Sequence, residues 1–258
     1  MIGIYDSGVG GLSVLREVCK RLPRERIVYY SDNAFCPYGG RDPQFIRDRA
    51  FAVTEKLTSE GADIVVVACN TATTVAIAAL RNHFNIPFVG LEPAVKPAAA
   101  TSVTSVIGVL ATAATLASSK YRATRDSLPR GIKVVECVGE GFVELVENGC
   151  LDGPLAEETV LRALEPMLEA GVDAIALGCT HYPFLRGTIE RLAPGVTVID
   201  PAPSVARHLE TVMSARGLIR RDRQTSFPDV TLLSSGDNSN LVRTYNTLVK
   251  PELSSIKL

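Results

Sequence analysis

The sequence has almost no net charge, since 27 lysines and arginines face 28 aspartates and glutamates, which gives -1 at pH 7. A chain without an excess of basic residues lacks the usual electrostatic footprint of a nucleic-acid-binding protein, so we expect no nucleic-acid partner. Four arginines, Arg216, Arg220, Arg221 and Arg223, make the most basic stretch, which we interpret as solvated surface. With 46% apolar and 21% charged residues, the composition also argues against disorder.

No apolar run is long enough to span a bilayer, and no basic segment followed by an apolar one opens the chain. We therefore expect a cytoplasmic protein that does not associate with a membrane. At 258 residues the chain is large enough to bury a substantial core without covalent staples. Its six cysteines contain no C-x-x-C pair, which favours free thiols in a reducing compartment.

One stretch of sequence occurs twice. Residues 61–71, GADIVVVACNT, return at 171–181 as GVDAIALGCTH. In each copy an aspartate follows the glycine by two places, an apolar run comes next, and a cysteine, Cys69 or Cys179, lies eight places after the glycine. A short apolar run with these flanks predicts a buried parallel strand. Because ligands bind at the carboxyl ends of parallel strands, both cysteines are candidate site residues.

A second pair of segments supports an internal duplication. Residues 107–112, IGVLAT, match residues 2–7, IGIYDS, with Thr112 opposite Ser7. Two matched pairs in the same order indicate a duplicated unit. Proline-containing segments at Glu92–Pro97 and Asp200–Pro203 interrupt regular structure and predict crossings between domains. We therefore expect a first α/β domain over 1–95 plus 204–258 and a second over 96–203.

The first strand leads into a glycine-rich turn, Asp6-Ser7-Gly8-Val9-Gly10-Gly11, that precedes a helical pattern. A dinucleotide site is disfavoured because Ser13 replaces the third glycine of the fingerprint and Asp6 would oppose a pyrophosphate. A carboxylate there better suits a substrate ammonium or proton transfer. After the second strand come Asp32 and the turn Pro37-Tyr38-Gly39-Gly40, whose residues are also compatible with a plain surface turn.

Three interpretations of Cys69 and Cys179 compete. With His181 they could ligate a metal, but no fourth ligand and no usual zinc spacing is present. They could be small buried hydrophobes, as free cysteines often are. Finally, they could act as thiolates on the two faces of one substrate carbon, since inverting a stereocentre by proton transfer needs a base on one face and an acid on the other. Their equivalent placement favours the third interpretation.

Four stretches together resemble the aspartate/glutamate racemase family, and the glutamate racemases in particular: residues 4–12, the Pro37-Tyr38-Gly39 turn, residues 68–72 and residues 178–183. The resemblance spans nearly the whole chain. It implies two pseudo-symmetric α/β domains, each with a parallel central sheet and helices on both faces, around a central cleft. It also implies interconversion of L- and D-glutamate, and supply of D-glutamate for peptidoglycan, cell-wall biogenesis and cell shape.

By the same resemblance, Cys69 and Cys179 are the two acid/base residues, and neither a cofactor nor a metal is expected. The implied ionisable helpers are Asp6, Asp32, Glu147 and His181. The implied substrate-binding residues are Asp6, Ser7, Pro37, Tyr38, Gly39, Asn70, Thr71, Thr112, Thr180 and His181. A free thiol has a pKa of about 8.5, so a cysteine base needs a cation or a helix amino terminus, and we expect a helix directly after each cysteine. We further expect a homodimer.

Two departures from the family pattern stand out. Asp200-Pro201-Ala202 replaces the common Asp-Ser-Gly, and Cys36 places a third thiol beside the Pro37 turn, where we expect it to be a bystander. Two alternative functions stay open. Aspartate racemases share the paired cysteines, and a non-catalytic amino-acid-binding protein could use the same scaffold without its thiols.

Overall fold

The computed structural model describes residues 1–220 and 229–251. The strands are β1 (Ile2–Asp6), β2 (Arg26–Ser31), β3 (Ile64–Val67), β4 (Phe88–Gly90), β5 (Val106–Ala111), β6 (Lys133–Val138), β7 (Ala174–Gly178), β8 (Thr197–Ile199) and β9 (Asp229–Ser234).

Helices connect these strands. They are α1 (Leu12–Arg21), α2 (Pro43–Ser59), α3 (Asn70–His83), α4 (Val95–Thr101), α5 (Ala113–Ala117), α6 (Ser119–Asp126), α7 (Phe142–Glu147), α8 (Pro154–Glu169), α9 (Arg186–Leu192), α10 (Ala202–Ala215) and α11 (Ser239–Thr244). Short 3-10 turns cover Asn33–Phe35 and Tyr182–Leu185, and one π-helical turn covers Tyr245–Val249. Within the described ranges, no helix combines the length and apolar character needed to cross a bilayer.

The chain forms two compact units, one from Met1–Leu91 with Ala202–Leu258 and the other from Glu92–Pro201. The first contains a five-stranded parallel sheet in the order β4-β3-β1-β2-β9, and the second a four-stranded parallel sheet in the order β6-β5-β7-β8. The predicted α/β class with two parallel sheets is confirmed. The domain boundaries stay a prediction, because compactness alone does not show which segment folds independently.

Each sheet is covered by helices that bury apolar faces. In the first unit, α2 packs against α3, and α1 packs against α10. The central strands β1 and β3 are buried along their whole length, and apart from Asp6 at the end of β1 their sequences are apolar, as expected in a sheet covered on both faces. In the second unit, α4 packs on β5 and β7, and α8 packs near β6.

The two sheets repeat the same register. Ile2 of β1 lies opposite Ile64 of β3, and Ile107 of β5 lies opposite Ala174 of β7. Gly61 and Gly171 both adopt positive φ, 95° and 75°, where the chain turns from a helix into the strand. The duplication predicted from the sequence is therefore confirmed at the level of strand pairing, and Cys69 and Cys179 follow equivalent strands.

The structure differs from the sequence-based expectation after β4 and β5. Pro93 lies in an irregular stretch, as expected, but Pro97 does not, because α4 begins at Val95 and places Pro97 in its first turn, where a backbone N–H is not needed. The helices α5 and α6 were not predicted; the hydroxyls of Thr112 and Ser118 cap their amino termini. Of the basic stretch, Arg216 and Arg220 are exposed, while Arg221 and Arg223 lie outside the described residues.

Candidate active site

Cys69 lies where β3 ends and α3 begins, and its extended backbone makes it the N-cap residue of that helix. The N–H of Ala72 donates to its sulfur at 3.5 Å, and the thiol donates to the Ser7 hydroxyl at 3.8 Å. Only 6% of the residue is exposed. The positive end of a 14-residue helix and a backbone N–H therefore both favour the thiolate form of Cys69.

Asp6 ends β1 and is fully buried beside the glycine-rich turn. The Gly8 N–H donates to its Oδ2 at 3.0 Å, and the Tyr29 hydroxyl donates to the Gly8 carbonyl at 2.7 Å. Gly11 has no room for a side chain, since a Cβ there would lie 2.6 Å from the Asp6 Cβ. The Asp6 carboxylate accepts the Gly8 N–H, to which a bound phosphate would otherwise be hydrogen-bonded. This contact agrees with the argument against a nucleotide site.

Asn70 and Thr71 form the first turn of α3 and are both buried. Among the described residues, neither the amide nitrogen nor the amide oxygen of Asn70 has a hydrogen-bond partner. A buried polar group without a partner is costly, and native proteins retain such groups mainly where a ligand or water completes them. The Asn70 amide is thus available to a polar ligand beside the Cys69 thiol.

Asp32 follows β2 and is fully buried. Arg49 of α2 donates to both of its carboxylate oxygens, at 2.9 and 2.8 Å, and the Tyr38 hydroxyl donates to Oδ2. The Arg49 guanidinium also lies 4.0 Å from the centre of the Phe35 ring. Burial raises the pKa of Tyr38 far above its usual range and the neighbouring Asp32 carboxylate raises it further, so this hydroxyl stays protonated.

In the second unit, Cys179 directly follows β7 and is 7% exposed. Its sulfur lies 3.7 Å from Nδ1 of His181, and Nε2 of His181 lies 2.7 Å from Oε1 of Glu147, the last residue of α7. A carboxylate accepts the imidazole N–H, so Nδ1 of a neutral His181 carries no proton and can accept the thiol proton. The chain of contacts from Cys179 through His181 to Glu147 therefore allows the imidazole to take the proton of the Cys179 thiol.

The expectation that a helix directly follows each cysteine is wrong for Cys179. A 3-10 turn over Tyr182–Leu185 comes first, and α9 begins only at Arg186. The turn is held by Tyr182, whose hydroxyl donates to the Gly139 carbonyl at 3.2 Å and whose N–H donates to the Cys179 carbonyl at 3.2 Å. His181, rather than an α-helix amino terminus, therefore supports the second thiol.

The predicted site residues fall into two groups. At the carboxyl ends of β1, β2 and β3, the first unit assembles Asp6, Ser7, Asp32, Tyr38, Cys69, Asn70 and Thr71. In the same unit Pro37 is exposed, while Gly39 and Cys36 are half-buried. The second unit places Cys179, the buried Thr180 and His181 after β7, with Glu147 against the imidazole. Half-buried Thr112 follows β5, where its hydroxyl caps α5 and donates to Thr115 at 2.9 Å.

Sequence reasoning missed Arg49, Tyr29 and Tyr5. A signal for Arg49 was present, because it lies on the apolar stripe of α2 formed by Ile46, Ala50, Val53 and Leu57, which is buried. A cation within such a stripe indicates a buried acidic partner. Nothing local marks the two tyrosines, whose surroundings depend on strand pairing.

The fold and the two thiols define a duplicated α/β protein that presents one acid/base candidate at the end of the same strand in each unit. The chain belongs to the Asp/Glu/Hydantoin racemase family, whose model matches residues 6–209.

Similar proteins agree with this family assignment. A glutamate racemase of Methylococcus capsulatus is 46% identical over 221 residues, which are 85% of this chain and 82% of that protein. The crystal structure of the glutamate racemase isoform RacE1 of Bacillus anthracis superposes with a TM-score of 0.85 at 33% identity, covering 96% of this chain and 93% of that one. The glutamate racemase of Francisella tularensis in complex with D-glutamate gives a TM-score of 0.82 at 25% identity, with 96% and 93% covered.

Proposed function

We propose that this protein is a glutamate racemase that interconverts L- and D-glutamate by proton transfer between two cysteines, without a cofactor. The observation that carries the proposal is the equivalent position of Cys69 and Cys179 after strands paired in the same register. Relatives named glutamate racemase support glutamate as the substrate.

In the proposed direction from L to D, the Cys179 thiolate removes the α-proton, and the Cys69 thiol delivers a proton to the opposite face of the same carbon. Cys179 ends as a thiol and Cys69 as a thiolate, so the charge of the pair is unchanged. In the reverse direction Cys69 is the base. Each thiol is thus required in both directions.

The neighbours of each thiol support these roles. The Ala72 N–H and the amino terminus of α3 favour the Cys69 thiolate, and His181, held by Glu147, accepts the proton of Cys179. The carbanion-like transition state needs hydrogen-bond donors at the substrate α-carboxylate, because no electron-sink cofactor takes part in this scheme. The proposed donors are the backbone N–H groups of Thr71 and Thr180 and the Asn70 amide, which has no hydrogen-bond partner in the described part of the chain.

Asp6 is placed to balance the substrate ammonium, because its buried carboxylate ends β1 at the same edge of the sheet as Cys69. The remaining proposed contacts are Ser7, Pro37, Tyr38, Gly39 and Thr112, with Asp32 holding Tyr38 in place.

We also propose that the product D-glutamate is used in peptidoglycan synthesis in the cytoplasm and that the enzyme is a homodimer. The motivation is the similarity to glutamate racemases over most of the chain. Growth of a D-glutamate auxotroph carrying this gene would support the first proposal, and continued dependence on added D-glutamate would refute it. Analytical ultracentrifugation tests the second, which a purely monomeric protein at micromolar concentration would refute.

The decisive experiment assays the purified protein with L-glutamate and, in parallel, L-aspartate, in deuterium oxide with EDTA and no added cofactor. We expect D-glutamate to form and to carry deuterium at low conversion, while recovered L-glutamate stays almost unlabelled, because the delivered proton comes from solvent. Turnover of aspartate alone would point to an aspartate racemase. Substantial early deuterium in recovered L-glutamate would contradict two separate bases, and a requirement for zinc would contradict a metal-free reaction.

A further inference from the structure

Tyr5 lies on β1 and shares a face of the first sheet with Cys69. Its register partner on β3 is Val67, and Cys69 is two residues beyond Val67. Since side chains alternate between faces along a strand, Tyr5, Val67 and Cys69 all point to the side covered by α2 and α3. The three residues belong to one buried cluster that also includes Tyr38. The Tyr5 ring is therefore a neighbour of the Cys69 thiol across two adjacent strands.

The Tyr5 hydroxyl is fully buried, and no hydrogen bond of normal length and angle reaches it from a described residue. The Tyr38 hydroxyl is a neighbour that lowers the pKa of Tyr5, but it gives its own proton to Asp32, and no well-formed hydrogen bond joins the two tyrosines. Burying a hydroxyl without a partner is unfavourable, and phenylalanine would fill the same space without that penalty. The hydroxyl at this position calls for a functional explanation.

The negative charges around Tyr5 and Cys69 keep the Tyr5 hydroxyl protonated, so that it can donate a hydrogen bond. Burial raises the pKa of Tyr5 well above its usual value, and the charges of Cys69, Asp32 and Asp6 raise it further. Arg49 is the cation of this group, but it is committed to both oxygens of Asp32. A tyrosine that never ionises keeps a proton to donate, and a thiolate, which has no proton of its own, is a strong acceptor.

We propose that Tyr5 is a positioning residue for Cys69: its buried hydroxyl donates a hydrogen bond to the Cys69 sulfur when that sulfur is a thiolate. This inference rests on the proposed function, because it assigns the hydroxyl to the charged state that proton transfer creates. In the thiol state the hydroxyl has no well-formed hydrogen bond to any described residue. Formation of the thiolate then supplies the missing acceptor, and Tyr5 helps to lower the pKa of Cys69.

The test measures the pH dependence of alkylation of Cys69 by iodoacetamide, with peptide mass spectrometry separating Cys69 from the other five cysteines. Tyr5→Phe should raise the apparent pKa of Cys69 by about one unit, which slows alkylation below that pKa roughly tenfold. The melting temperature should stay the same or rise, because an unpartnered hydroxyl has been removed. The readout does not require racemase activity, so it stays informative if the proposed function fails.

Tyr121→Phe is the matched control. Tyr121 is another buried tyrosine, but its hydroxyl donates to Glu136 at 2.8 Å in the second unit. Losing that bond should lower the melting temperature and leave the alkylation profile of Cys69 unchanged. If Tyr5→Phe instead lowers the melting temperature and leaves that profile unchanged, Tyr5 merely supports Tyr38 and the proposal is overturned.

A second variant retains the hydroxyl and guards against a folding defect. Site-specific incorporation of 3,5-difluorotyrosine at position 5 makes the hydroxyl a stronger donor, so the apparent pKa of Cys69 should fall. A racemase assay on the same samples separates the two proposals. A wild-type protein that fails to racemise glutamate refutes the proposed function, whereas an unmoved Cys69 profile in both Tyr5 variants refutes the role of Tyr5.

Discussion

The two units present a cysteine at the same strand position but surround it differently. Cys69 caps a 14-residue helix, contacts the Ser7 hydroxyl and the Ala72 N–H, and shares a buried cluster with Tyr38 of the Tyr38–Asp32–Arg49 network. Cys179 precedes a 3-10 turn and contacts an imidazole that is itself held by a carboxylate. The duplication preserved the backbone that places the thiol, while the means of managing its proton diverged. Beside the first thiol lie fixed dipoles, and beside the second lies a titratable imidazole.

Replacing either cysteine by serine should have the largest effect. If both thiols act in each direction, Cys69→Ser and Cys179→Ser should each reduce racemisation in both directions, by about 10²- to 10⁴-fold. Chiral chromatography from pure L- and pure D-glutamate measures the loss. A thermal shift with glutamate checks that the variants still bind. A variant that keeps the parent rate would contradict the shared roles, and a wild-type protein that binds glutamate without turnover would identify a binding protein.

Removing Arg49 should break the polar network of the first unit alone. Arg49→Met leaves the fully buried Asp32 carboxylate without its bidentate cation, so we expect a loss of about 3 kcal/mol in the free energy of unfolding. Urea denaturation measures it. Arg162→Met is the control, since the Arg162–Glu158 pair of α8 is largely exposed and its loss should be barely measurable. Equal stability of both variants would show that Asp32 does not depend on Arg49.

The neighbours of the two thiols should act on opposite sides of the reaction. Asp6→Asn should slow the step at Cys69, and His181→Asn the step at Cys179. L- and D-glutamate are equally stable, so kcat/KM is the same in both directions for any variant, and the asymmetry must be sought in isotope effects. His181→Asn should raise the primary isotope effect with α-deuterated L-glutamate and lower it with D-glutamate, and Asp6→Asn should do the reverse. The same pattern in both variants would contradict side-specific helpers.

The smallest effect concerns the two aspartates of the repeated stretch. Asp173 accepts hydrogen bonds from the Ser102 hydroxyl and the N–H groups of Val103 and Thr104, whereas Asp63 binds the amino terminus of Met1. Partial desolvation would raise the pKa of Asp173, but these hydrogen bonds outweigh it and lower the pKa below its usual value. Stabilisation by Asp173 is therefore present above the unfolded pKa of about 4 and is lost as the pH falls through the lower folded value.

Melting temperatures of Asp173→Asn and the parent protein should consequently differ at pH 7 and converge as the pH falls below about 4. Asp63→Asn provides the control at the equivalent position. The Asp63 side chain is 56% exposed and pairs with a single group, the Met1 ammonium, so we expect a smaller change in melting temperature. A difference for Asp173→Asn that persists unchanged in acid would show that the charge of Asp173 is not the stabilising element.

Features set by residues close together in the sequence could be predicted, whereas features set by contacts between distant residues could not. The strands that carry Cys69 and Cys179 were predictable, because an unbroken apolar run between a glycine and polar residues is a local signal of a buried parallel strand. The helix α4 was not, since Pro97 suppresses the local signal although a first-turn proline is compatible with a helix.

By itself the sequence determined the duplicated α/β plan, the two thiols and the polar residues that follow their strands, because each depends on spacing along the chain. Only the tertiary structure decided that Glu147 meets His181, that Arg49 and Tyr38 share Asp32, and that no described residue forms a hydrogen bond with the buried Tyr5 hydroxyl. These contacts join separate elements, and whether a buried polar group finds a partner depends on how strands and helices pack. No local pattern of residues encodes that outcome.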